Sequence, residues 1–144
     1  MTHAILAVAM FLATVTPTLT PNQRMAAEIA AGEVSAQLFG VSAYTDALCT
    51  IRNRRAADSF PDTLGGVLAG FYAQPRVLSP VEEAAAVAAF QPGGCDGRPW
   101  LYAMSAGDVG RLGFEAGDLV YAYTLPSGNV MAAHFYESSP WGTR

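Results

Sequence analysis

The sequence predicts an α+β fold: a mainly helical N-terminal two-thirds followed by a small C-terminal antiparallel β-hairpin or sheet. Three observations carry this. Helix start signals recur up to residue 90, with proline and glycine stops between them. After Gly97 the pattern changes to short apolar and aromatic runs around a turn. Hydrophobic residues make up 51% of the 144 residues and charged ones 14%, a balance that excludes a disordered tail and suits one well-packed domain over 21–144.

Thr20-Pro21-Asn22-Gln23 is a capping box with proline at the first helical position. Its helix is expected to run to about Leu38, before Gly40. Met25, Ile29 and Glu33 are spaced to share one face, and the first two point that face inward. A second helix spans about Ser42 to Asp58, with Tyr44, Leu48, Ile51 and Arg55 on one stripe, and "SFPDT" ends it. Thr63 caps a short third helix with Leu64, Val67, Leu68 and Phe71 inward. Ser79-Pro80-Val81-Glu82 is a second capping box, opening an alanine-rich helix to Phe90 that Pro92-Gly93-Gly94 stops. "WLYAM" reads as a strand, and Ser105 with Asp108 as a short capped turn of helix ending at Gly113. "DLVYAYT" and "NVMAAHFYE" are strands joined by "LPSG", a hairpin by its turn chemistry.

The N-terminal run "AILAVAMFLATV" is shorter than the roughly 20 apolar residues of a membrane-spanning helix. It has the length of a signal-peptide core, although "MTH" carries no Lys or Arg. Residues 1–20 are therefore read as a signal peptide or a buried apolar helix. No stable membrane span is expected. The net charge is −4, the eight basic residues are all arginine, and only Arg52, Arg54 and Arg55 cluster, so no nucleic-acid surface is expected. Cys49 and Cys95 either pair or remain free thiols. His3 and His134 with two scattered cysteines supply no metal site, and no cofactor is implied.

Glu33 is the residue that the helix pattern does not explain. A carboxylate at the end of an apolar stripe loses hydration, and its protonated form is favoured. That makes it a candidate general acid at neutral pH. It could equally swing out to solvent or pair with Arg52 or Arg54. Glu28, well round the helix, is expected to be solvated, and Gly32 to leave room for a ligand near the backbone. In the last strand His134 and Tyr136 share a face opposite Phe135. If Phe135 is core, they point at whatever lies outside the sheet.

These motifs resemble the cell wall hydrolases of the spore-cortex-lytic (SleB) type. The likeness rests on Gly32-Glu33, Asn53-Arg54, Phe60-Pro61-Asp62-Thr63, Val67-Leu68 and Phe71, then His134-Phe135-Tyr136 and Pro140-Trp141. It covers roughly residues 24–73 and 130–142. The resemblance implies a lysozyme-like fold and cleavage of the N-acetylmuramic acid–N-acetylglucosamine β-1,4 bond of peptidoglycan glycan strands by a lone catalytic glutamate, Glu33. Asn53 and Arg54 are expected to brace the helix pair. Phe71, Tyr102, Ser105, His134 and Tyr136 are the candidate substrate-binding residues.

Glycosidases usually need a second carboxylate. Asp46, Asp58, Asp62, Glu82 and Glu83 are each less well placed by pattern than Glu33: Asp46 lies off its apolar stripe, and Glu82 is accounted for by its capping box. A single-carboxylate lytic transglycosylase is therefore expected, with hydrolysis left open. The family's Glu-Ala-Arg is Glu33-Val34-Ser35 here, and a non-catalytic wall-binding or structural protein on the same scaffold is the alternative. A small helical interaction protein is a further one. The expected setting is a monomer exported to the periplasm or exterior, or a phage protein held in the cytoplasm until lysis.

Overall fold

The computed structural model describes residues 16–71 and 73–142. Its elements run α1 (Pro21–Glu33), α2 (Ala36–Phe39), α3 (Val41–Ala56), α4 (Leu64–Leu68), α5 (Pro80–Ala89), β1 (Tyr102–Ser105), α6 (Ala106–Leu112), β2 (Leu119–Thr124) and β3 (Val130–Tyr136). This is the expected α+β layout. The apolar run at 4–15 lies outside the described residues. Among those described, no helix is long and apolar enough to cross a membrane.

Local chemistry sets most helix starts. Thr20 and Ser79 each complete their capping boxes with Gln23 and Glu82. Thr63 caps α4 by accepting from the Gly66 N–H, and Ser105 caps α6 by accepting from the Asp108 N–H. Gly113 closes α6 in the left-handed conformation, φ 68°, where an L side chain would be strained.

Helix α3 is the axis of the core. Tyr44, Leu48 and Ile51 are fully buried, and α1, α2, α4 and α5 pack around them. The facing surfaces of α1 and α5 are largely alanine (Ala26, Ala27, Ala30, Ala86, Ala89), which lets the helices approach closely. Arg55, expected on the inner stripe, is exposed because α3 ends at Ala56 and its last turn clears the core. Met25 is 44% exposed rather than inward, and the buried face of α1 is built from alanines and Ile29.

The sheet has the order β1-β3-β2, both pairings antiparallel, with Tyr102 opposite Tyr136 and Leu119 opposite Phe135. Phe135 is fully buried between the rings of Trp100 and Tyr121 and carries the sheet onto the helices. Two cross-links fasten the layers. Cys49 of α3 is disulfide-bonded to Cys95, 46 residues on, so the paired alternative holds. Asp46 lies off the apolar stripe but is only 1% exposed. Its carboxylate accepts from Arg98 Nη1 at 2.7 Å, Trp100 Nε1 at 2.8 Å and the Tyr121 hydroxyl, joining α3 to the sheet.

Candidate active site

The predicted long first helix stops at Glu33. Val34 is extended (φ −137°, ψ 98°) and buried, and Ser35 caps the new helix α2 by accepting from the Gln37 N–H at 3.2 Å. The break is held from outside: Glu82 of α5 accepts from the Ala36 N–H at 3.3 Å. Glu82 does more than cap its own helix. Fully buried, it also pairs with Arg76, whose Nε donates to the Ala31 carbonyl at 3.2 Å and whose N–H donates to Glu28 O at 3.0 Å. Glu28 is accordingly half-buried rather than solvated. The extended segment 73–76 thus lies along α1. Gly32 permits that approach, because a Cβ there would sit 2.1 Å from Gln74 O. Segment 73–76 takes one side of Gly32, and on its other side Gly32 lines the cleft next to Glu33, where the expected room near the backbone lies.

Glu33 therefore ends α1 at the edge of a cleft of about 580 Å³. The walls are the end of α1, Arg54 of α3, Phe71 and Ala73, Tyr102 to Ser105 of β1, and Asp108 and Arg111 of α6. A smaller pocket of about 120 Å³ adjoins it, lined by Val34, Phe39 and Met131 and sharing Glu33 and Ala103 to Ser105. Glu33 itself is solvent-exposed, on the open side of this cleft. Burial pushes its carboxyl above the ordinary 4.5, against the Ala73 backbone N–H and the Arg54 charge, and Asp108 adds to the rise. Among the described residues no cation lies within ion-pair distance of it.

Arg54 is the cleft residue whose place the sequence did not reveal. Its guanidinium carbon lies 4.6 Å from the ring centre of Phe71, 4.9 Å from Phe60 and 5.4 Å from Tyr102. Its Nε donates to Leu101 O at 2.6 Å. It lines the cleft rather than bracing helices. Asn53 also works otherwise than expected: Nδ2 donates to Arg98 O at 2.7 Å and Trp100 O at 3.0 Å, tying α3 to the segment before β1.

Of the candidates, Phe71, Tyr102 and Ser105 line the cleft with Glu33. His134 and Tyr136 do not. Both are buried, at 8% and 7% exposure. His134 Nδ1 accepts from the Gly117 N–H at 3.1 Å, and the Tyr136 hydroxyl donates to Glu115 O at 2.8 Å. The face opposite Phe135 is covered by the chain at 115–118 rather than left open to a ligand. Burial lowers the His134 imidazole pKa from its ordinary 6.5, in keeping with an Nδ1 that accepts a hydrogen bond. Asp108 is a second cleft carboxylate that the sequence reading passed over, since its spacing from Ser105 marked only a helix start. It pairs with Arg111 at 3.1 Å. Among the described residues no three His, Cys, Asp or Glu side chains come together as metal ligands.

Comparison with known proteins finds no similar family model, no similar curated protein and no similar solved structure.

Proposed function

We propose that this chain is a peptidoglycan-cleaving glycosidase on a lysozyme-like fold, acting outside the cytoplasmic membrane, with Glu33 as its catalytic acid. The observation that carries the reading is the position of the Glu33 carboxyl at the end of α1, where two adjoining pockets meet, and desolvation there raises its pKa from the ordinary value. A polymer-cleaving acid needs binding space on both sides of the scissile bond. It also needs a proton at a pH where a solvated glutamate has none. Aromatic surface from Phe71, Tyr102 and Trp141 suits sugar rings. The Cys49–Cys95 bond suits an oxidising compartment.

In this mechanism Glu33 gives its proton to the glycosidic oxygen as the bond breaks. The resulting carboxylate takes the proton of the muramic 6-hydroxyl as that oxygen closes on the anomeric carbon, leaving a 1,6-anhydro sugar. Asp108 in the same cleft favours a second reading, hydrolysis, in which a second carboxylate serves water. The two products differ by one water, so their mass separates them.

Zymography on purified cell walls tests the proposal. Wild-type protein is expected to clear the gel and Glu33→Gln to leave it opaque. Clearing by Glu33→Gln removes Glu33 as the acid. Wall binding without clearing by the wild type identifies a non-catalytic wall-binding protein.

A further inference from the structure

Arg54 is a fixed cation inside the cleft with part of its hydrogen-bonding capacity uncommitted. Its guanidinium carbon lies over the rings of Phe60, Phe71 and Tyr102, and its Nε donates to Leu101 O. The hydrogen bonds among the described residues include none from its two terminal nitrogens, and no carboxylate pairs with it. The N–H donors of a guanidinium lie in its own plane, and the planar group that matches its free edge is a carboxylate held by two parallel N–H···O bonds. The rings already hold the side chain, so little rotamer freedom is left to lose on binding. Of the other charges lining the cleft, Asp108 is paired with Arg111, and Glu33 is uncharged in the form that donates its proton.

We infer that Arg54 forms a carboxylate-recognition subsite beside Glu33, which selects glycan strands bearing a carboxylate on or near the muramic side arm. This rests on the glycan reading above. A free lactyl carboxylate, on strands stripped of peptide, and a carboxylate of an attached stem peptide offer the same chemistry.

The test uses the Glu33→Gln protein, which binds without turnover, and measures Kd by calorimetry. Four ligands are compared: stripped strands and peptide-bearing strands, each as free acids and as neutral methylamides. At least tenfold tighter binding of the free acid is expected in one format. Preference among stripped strands identifies the lactyl group, and preference among peptide-bearing strands identifies the stem. Adding Arg54→Gln should bring the acid-to-amide ratio within twofold, and Arg54→Lys should leave it intermediate. If Arg54→Gln, which frees the Leu101 carbonyl, does not fold, the ligand comparison on the Arg54-containing protein still decides. Acid and amide binding within twofold in both formats overturns the inference while leaving the glycan reading intact. Absence of binding by all four ligands overturns the glycan reading, and this inference with it.

Discussion

Replacing Gly32 by alanine tests whether the approach of segment 73–76 to α1 builds the site. Two effects compete. In a helix, alanine is favoured over glycine by about 1 kcal/mol. Against that, the new Cβ would lie 2.1 Å from the Gln74 carbonyl oxygen, so the backbone must retreat roughly 0.9 Å to reach even 3.0 Å. Overpacking of this kind costs about 1–3 kcal/mol. The Arg76 N–H bond to Glu28 O, at 3.0 Å, lies on the retreating segment and contributes about 1 kcal/mol more. The clash wins, with a net loss near 2 kcal/mol and a melting temperature lower by roughly 6 °C. The same retreat draws Ala73 and Phe71 away from Glu33, and a shift of about 1 Å in such a site lowers catalysis by roughly 10²-fold. Thermal unfolding by circular dichroism and turbidity clearing of cell walls read the two effects. Gly65→Ala in α4 is the control, since its Cβ would meet nothing within 4 Å. A Gly32→Ala protein that melts at or above the wild-type temperature would refute the reasoning, and unaltered clearing would separate the segment from the site.

Removing the disulfide by Cys49→Ser with Cys95→Ser should cost about 4 kcal/mol by the loop-entropy relation for 46 residues. Chemical denaturation of the oxidised protein and the double variant measures this. Glu82 titrates in the opposite sense to Glu33. Burial pushes its carboxyl up, but the Ser79, Arg76 and Ala36 donors outweigh that and hold it below 4.5. Its stabilising contribution is thus present above about pH 4.5 and lost as pH falls through the folded value. Melting of the wild type should therefore fall more steeply below pH 4.5 than that of Glu82→Gln. Glu33, raised above 4.5, should lose clearing activity as pH rises through its folded value. The stability of Glu33→Gln relative to wild type should grow over the same interval, because the wild type is then ionised where charge is disfavoured.

What the sequence made legible was local. Thr20, Thr63, Ser79 and Ser105 announce their helices within three residues, and the hairpin turn is encoded in "LPSG". What it concealed was set by distant partners. The break after Glu33 depends on Glu82, and the burial of Asp46 depends on Arg98, Trp100 and Tyr121. Two-residue alternation placed His134 and Tyr136 opposite Phe135, but nothing local indicated that the chain at 115–118 would cover that face. Arg54 reads from its helix as one member of a basic turn. Its cleft position follows from rings at 60, 71 and 102, which no window around residue 54 contains.

In the proposed mechanism the early end of α1 is what would make an acid at position 33 usable. An uninterrupted helix would place Gln37 one turn above Glu33 on the same face, and helical side chains lean toward the N-terminus, so Gln37 would cover the carboxyl. With Val34 turned away, Glu33 instead occupies the last helical position, where the negative end of the helix dipole adds to the bias against ionisation. Burial and Asp108 act in the same direction, while Arg54 and the Ala73 N–H oppose them. The contest would reverse if Arg54 closed onto Glu33, because an adjacent opposite charge favours the carboxylate. Leu101 O and the rings of Phe60, Phe71 and Tyr102 hold the guanidinium elsewhere. In the proposed mechanism the aromatic cluster would therefore have two consequences: it would keep the cation from favouring the ionised form of Glu33, and it would leave that cation free to meet an anion arriving with the glycan.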